Sequence, residues 1–335
     1  MFNKTILNAT EKIVNESDYV LNKKELKEIL DTKGTDIFDL IIFANKIRIK
    51  YKNDEIYTCT IINAKSGQCS ENCAFCSQSV HHNTKIQVYP LLTKDKMLEK
   101  AIQMYEIKAT HYSFVTSGYS VSDKDIEIIS ETAKEIKEKT NLRLCASLGI
   151  LNKNKAERLY EAGIENYHHN LETARSYFNN VCTTHKYEED INTIIVAKEA
   201  GLNVCSGGIM GLGESWEQRV ELAYILKDLD VNSIPLNFLN PISGTKMENM
   251  QILNTFDALK TIAVFRFINP VKNIGICGGR EATFEDFQSW IFPAGANGFM
   301  IGNYLTTIGR NINVDLKLMN IFGSIKNDRK YKEHN

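Results

Sequence analysis

Residues 56–79, IYTCTIINAKSGQCSENCAFCSQS, set a β-branched run directly before a loop with cysteines at 69, 73 and 76. The first half reads as a strand. In the second half, three thiols within eight residues converge on one metal site. A structural zinc ion takes four ligands in a closed tetrahedron, and no fourth stands nearby. A cubane iron–sulfur cluster held by three cysteines instead leaves one iron open for substrate. Gly67 suits a tight turn into the loop. Phe75, inside the C-x2-C, offers a ring to cover a cluster or stack on a base. A zinc knuckle with a distant fourth ligand is the competing reading.

Outward from this stretch, β-branched runs alternate with amphipathic stretches. The spacing predicts strands over 56–64, 111–118, 142–149, 165–172, 203–211, 233–240, 272–279 and 297–305. Between them lie helices with clear punctuation. Ser122 precedes DKDIEIISETAKEIKEK, where Ile126, Ile129, Ala133 and Ile136 share one face. NKAERLYEAG and VAKEAG end on Gly163 and Gly201. Eight βα units predict an α/β fold, either a (β/α)8 TIM-type barrel or a doubly wound sheet. The barrel is favoured, because no glycine-rich dinucleotide fingerprint follows the first strand. Residues 1–50 read as an N-terminal helical extension, 51–322 as the barrel and 323–335 as a polar tail. In a barrel, chemistry sits at the C-terminal ends of strands. Ser113, Cys145, Asn170, Cys205, Asn237 and Cys277 fall within or late in predicted strands.

The bulk properties exclude several classes. A net charge of −1 over 335 residues gives no footprint for nucleic acid or an anionic membrane surface. No apolar run approaches the ~20 residues that span a bilayer, and the N-terminus lacks a signal-peptide core. The expectation is a cytoplasmic protein. Its eight cysteines then point to metal, redox chemistry or plain burial, not to a disulfide framework.

C-x3-C-x2-C after the first strand resembles the signature of the radical S-adenosylmethionine (SAM) superfamily. Together with NYHHNLET (166–173), NVCSGGIMGLGE (203–214), IPLNFLNPISGT (234–245), GGRE (278–281) and FPAGANGFMIGNYLTT (292–307), it resembles the biotin synthase family from about residue 40 to 322. The resemblance implies a homodimeric barrel that converts dethiobiotin to biotin by inserting sulfur between two unactivated carbons. Two SAM molecules are consumed, one for each hydrogen abstraction. A flavodoxin or ferredoxin supplies the electron, and an auxiliary iron–sulfur cluster supplies the sulfur. By resemblance, Cys69, Cys73 and Cys76 hold the 4Fe–4S cluster that binds SAM. Phe75, Glu172, Gly207 and Gly208 contact SAM, with Glu172 on the ribose. Asn170, Asn237 and His168 meet the ureido ring of dethiobiotin. An amide has both donor and acceptor, which suits a cyclic urea; a strand-end cap is the plain alternative for either asparagine.

The sequence departs from the family at the auxiliary cluster, which usually takes three cysteines and an arginine around a 2Fe–2S core. Cys145 and Cys205 match two of the cysteines. Ser113 stands for the third, and Gly275 for the arginine. Two positions on, Cys277 shares a strand face with Gly275. Cys145, Cys205 and Cys277 again make three thiolates, which favours a 4Fe–4S-like auxiliary cluster over 2Fe–2S, its open iron carrying the sulfide to be donated. A two-iron cluster with Ser113 as an oxygen ligand, and Cys277 as a buried small hydrophobe, is the alternative. Asp190 occupies the place of an arginine that meets the SAM carboxylate, and His185 replaces another arginine. Cys59 and Cys182 read as structural.

Overall fold

The computed structural model describes residues 3–53 and 55–330. Three helices open the chain: α1 (Lys4–Asn15), α2 (Lys23–Asp31) and α3 (Asp36–Lys52). Asn3 caps α1, its side chain accepting from the backbone of Thr5 and Ile6. Asn22 and Glu25 form a capping box on α2. Leu40, Phe43, Ala44 and Ile47 of α3 enter the main hydrophobic core.

Nine parallel strands follow: β1 (Tyr57–Lys65), β2 (His111–Thr116), β3 (Arg143–Ser147), β4 (Ile164–His168), β5 (Asn203–Cys205), β6 (Gly208–Met210), β7 (Ser233–Phe238), β8 (Asn273–Ile276) and β9 (Gly298–Met300). β5 and β6 are two pieces of one stave, interrupted at Ser206 and Gly207, and β7 pairs with both. β9 pairs with β1, so eight staves close into a parallel barrel. Outside it lie α4 (Lys94–Glu106), α5 (Asp123–Lys139), α6 (Lys153–Glu161), α7 (Tyr187–Glu199), α8 (Trp216–Asp228), α9 (Thr255–Ile268), α10 (Arg280–Phe284) and α11 (Ile312–Lys330).

The amphipathic reading of α5 is met in detail. Ser122 and Asp125 form its capping box, and Ile126, Ile129, Ala133 and Ile136 are buried. Gly163 and Gly201 take φ near +88° and +89° just after α6 and α7, the left-handed turn that ends a helix. Two expectations change. Most strands stop two to five residues short of the predicted C-terminal boundary, because the chain leaves the ladder there to line the barrel mouth. The polar tail expected from 323 is helical as far as Lys330, continuing α11, whose Leu318 and Met319 pack on the core; residues 331–335 lie outside the described residues. No helix among the described residues is long and apolar enough to cross a membrane.

Candidate active site at the barrel mouth and lumen

β1 presents Tyr57, Cys59 and Ile61 to the lumen and turns Thr58, Thr60 and Ile62 into the buried layer behind it. The loop after β1 is held by its own backbone. Cys69 N–H donates to Gln78 O (3.1 Å), Val80 N–H to Cys69 O (2.9 Å) and Cys76 N–H to Cys73 O (2.9 Å). Gly67 is at φ 76°, and a Cβ there would lie 2.7 Å from Val88, so the turn needs glycine. Phe75 packs beside Ala74, Val181, Leu212 and Leu239.

The loop covers a cavity of about 450 Å³ that runs down into the barrel. It is lined by Cys69, Cys73, Cys76 and Phe75 of the loop, by Asn170, Glu172, Asn237 and His168 at strand ends, and by Cys145, Cys205 and Cys277 below. Gly207 and Gly208 are different. A Cβ at Gly207 would fall 1.9 Å from Pro235 O, and one at Gly208 2.4 Å from Glu172 O. These glycines permit close packing within the barrel wall, and Ile209 is the neighbour that reaches the cavity.

Ladder registers order the lumen into layers. From Cys59 the register passes through His111 to Arg143, two residues before Cys145. From Cys145 it passes through Asn166 to Asn203, two before Cys205. From Cys205 it passes through Ser233 to Asn273, two before Gly275. From Gly275 it returns through Gly298 to Tyr57, two before Cys59. A (β/α)8 barrel stacks side chains from alternate strands in layers of four. Cys59, Cys145, Cys205 and Gly275 therefore form one layer. Cys277 lies two layers above Gly275 on the same stave, its N–H donating to Leu236 O at 2.9 Å. At Gly275 the missing side chain leaves room for the Tyr57 hydroxyl, 2.6 Å from where a Cβ would stand.

Among the described residues, the one trio of histidine, cysteine or carboxylate donors lying wholly within 4.8 Å is Glu71, Cys182 and His185. In both the loop trio and any trio of lumen thiols, at least one pair is thus farther apart. A single tetrahedral zinc with bonds of about 2.3 Å needs thiolates roughly 3.8 Å apart. Neither cysteine set is therefore a preformed single-zinc site. Burial pushes Cys145 and Cys205 up to about 12, and raises Cys59 and Cys277 as well.

The carboxylates of the mouth have distinct surroundings. Glu172 adopts φ 61°, the left-handed region. Burial, then the Asp190 charge, push its carboxyl up to about 8, against a hydrogen bond from Asn170. Asp190 is the centre of a network the sequence did not reveal. It accepts from His169 Nε2 (2.8 Å) and pairs with His185 Nε2 (3.3 Å), while His185 Nδ1 meets Glu71 at 2.6 Å. Burial opposes charging of His185, but Asp190, Cys182 and Glu71 raise it to about 11. Burial lowers His168 to about 4, so this imidazole is neutral and offers one donor and one acceptor. Both asparagines are partly engaged: Asn170 Oδ1 accepts from Gly207 N–H, and Asn237 Oδ1 from Gly278 N–H. Cys59, read as structural, faces the cavity; its alternation with Tyr57 and Ile61 was the available signal.

Residues 63–224 match the radical SAM superfamily, and residues 235–324 match the biotin and thiamin synthesis associated domain. A biotin synthase of Syntrophus aciditrophicus is 51% identical over 315 residues, covering 94% of this chain and 97% of its own. One from Clostridium acetobutylicum is 46% identical, covering 94% and 96%. Among solved structures, methylornithine synthase superposes with a TM-score of 0.81 at 18% identity, covering 94% of this chain and 96% of its own. A maturase of the FeFe-hydrogenase gives 0.80 at 17%, covering 96% and 74%. These two share the fold.

Proposed function

The chain belongs to the biotin synthase family of the radical SAM superfamily, and on that premise we propose what each site residue does. The reaction is the conversion of dethiobiotin to biotin by radical insertion of sulfur, with a 4Fe–4S cluster and SAM. Unactivated C–H bonds give no acid or base a foothold, so the reactive species must come from a cofactor. The 4Fe–4S cluster, when bound, supplies the electron that cleaves SAM to methionine and a 5′-deoxyadenosyl radical. The protein's share is binding, orientation and exclusion of water.

In this reading Cys69, Cys73 and Cys76 hold the SAM cluster, and Phe75 shields it. Glu172 takes the ribose hydroxyls. Gly207 and Gly208 act through the close packing of the barrel wall, which sets Ile209 at the cavity that takes SAM. Asn170, Asn237 and neutral His168 read the ureido ring. Cys145, Cys205 and Cys277 hold the auxiliary cluster, as a 4Fe–4S-like core in preference to 2Fe–2S. The absence of an arginine side chain at Gly275, and Tyr57 in the space it leaves, favour that choice. A flavodoxin or ferredoxin serves as electron donor, and the enzyme works as a homodimer in the cytoplasm.

One observation carries the assignment: the loop thiols and the lumen thiols line the same cavity. A substrate held between them lies within reach of both a radical source and a sulfur source. The test is anaerobic incubation of reconstituted protein with SAM, reductant and dethiobiotin. 5′-Deoxyadenosine and biotin are expected in a ratio near two to one. Deoxyadenosine without biotin would leave SAM cleavage standing and remove the sulfur-insertion assignment.

A further inference from the structure

The auxiliary set above uses three of the four thiols that face one another in the lumen. Cys59 belongs to the same layer as Cys145 and Cys205, on the first, third and fifth staves. The fourth place in that layer is Gly275, and Cys277 stands two layers higher on the same stave. Three donors in one layer and a fourth higher on the remaining stave surround the lumen from four sides, as a cubane with a ligand on each of its four irons requires. All four thiols line the cavity. Their spread exceeds that of a single-ion site, as shown above.

Packing does not account for Cys59. The buried face of β1 is carried by Thr58, Thr60, Ile62 and Ala64, whereas Cys59 lies on the other face. No lysine or arginine lines the cavity among the described residues, so no cationic side chain stands ready to complete the set. Ser113, one layer higher on the neighbouring stave, offers a harder oxygen that suits iron–sulfur chemistry less than a thiolate.

We propose that Cys59 is the fourth thiolate ligand of the auxiliary cluster, an inference that rests on the reading of Cys145, Cys205 and Cys277 as its ligands. A four-thiolate set leaves no iron open for a pendant sulfide, which replaces the arrangement expected from three cysteines.

The test uses the full chain with Cys69→Ala, Cys73→Ala and Cys76→Ala, so that only the lumen site loads iron. Cys59→Ala, Cys59→Ser and, in parallel, Cys277→Ala are added to this background. Circular dichroism establishes folding; iron count, Mössbauer and EPR spectra are the readouts. About four irons with a cubane signature are expected in the background variant. Cys59→Ala is expected to alter one iron site, seen as a changed Mössbauer component for one of four irons or as loss of that iron to a three-iron EPR signal. Cys59→Ser is expected to keep iron with a changed spectrum for one site, and decides the matter if the alanine variant does not fold. An unaltered four-iron spectrum in both Cys59 variants, with loss in Cys277→Ala, overturns the proposal and leaves the three-cysteine reading standing. A background variant with two irons or none overturns that reading and the proposal together.

Discussion

Glu172 combines two costs at one residue: a left-handed backbone for a non-glycine, and a carboxyl taken out of water. Such strain persists only where the surroundings over-determine it, and it clusters at ligand sites. Here the backbone is pinned by Ile209 N–H donating to Glu172 O at 2.8 Å. The raised carboxyl has a consequence for stability. In the SAM-free fold the proton is held to about pH 8, whereas an ordinary glutamate releases it near 4.5. The folded state binds more protons between those values, so Glu172 favours folding at low pH and loses that contribution as pH rises to about 8. Glu172→Gln is expected to remove this slope. Urea midpoints for wild type and variant, taken from pH 5 to pH 8.5, should diverge in the variant's favour as pH rises; parallel curves would refute it. Gly207 is the complementary case, where backbone proximity sets the residue. Gly207→Ala is expected to cost about 3 kcal/mol or more, since its Cβ meets a carbonyl that cannot rotate away. Urea denaturation of the cluster-free chain measures it.

At the scale of elements, α7 carries more than a packing face. Its Tyr187 and Ile194 are buried in the core, while Asp190 reaches the barrel mouth between two histidines. Asp190→Ala strips His169 and His185 of their shared acceptor in a buried setting. Removing one partner of a buried ion pair costs about 3–5 kcal/mol, and a loss of about that size is expected in urea denaturation; a change under about 1 kcal/mol would show that the histidines find other acceptors. The same helix shows what a sequence reveals. Its existence follows from apolar spacing and from Gly201 at its end. The partner of Asp190 does not, because His169 belongs to the segment after β4 and His185 to the loop before the helix. Contacts between distant segments leave no local period. The loop cysteines were legible because their chemistry is written in eight consecutive residues. Cys59 reads as structural in the sequence; its alternation with Tyr57 and Ile61 carries the signal, but whether that face looks inward or outward depends on barrel closure. Strand ends were overread for a related reason. The apolar character continues past the ladder because Leu171, Leu239 and Ile301 remain buried where their chains line the mouth.

For the whole molecule, the question is what keeps the mouth closed around a radical. The segment after β9 contributes Tyr304, Leu305, Thr306 and Thr307 to the cavity wall. Thr306 Oγ1 bonds Ser77 Oγ at 2.9 Å, beside Cys76 of the three-cysteine loop. That segment is anchored from behind by the residues after β8. Glu281 accepts from Tyr304 Oη (2.8 Å) and from Arg310 N–H (3.1 Å). Arg280 forms a two-pronged pair with Asp315 of α11, at 2.7 and 3.2 Å, both side chains fully buried. The guanidinium also lies over the Phe299 ring, 5.1 Å from its centroid. Burial would lower Arg280, but Tyr304, Asp315 and Glu281 hold it charged. The ion pair joins α11 to the residues after β8, Glu281 joins those to the segment after β9, and Thr306 joins that segment to the three-cysteine loop. Asp315→Ala leaves a buried guanidinium without its main counter-charge, and a stability loss of about 3–5 kcal/mol is expected. Arg280→Lys keeps the charge but not the planar fork, so its loss should be smaller yet measurable. The coupling makes a second demand. If the anchor steadies the three-cysteine loop through Thr306 and Ser77, Asp315→Ala protein that remains folded should also retain less iron at Cys69, Cys73 and Cys76 after anaerobic gel filtration. Full iron retention beside the expected stability loss would confine the pair to holding α11 in place.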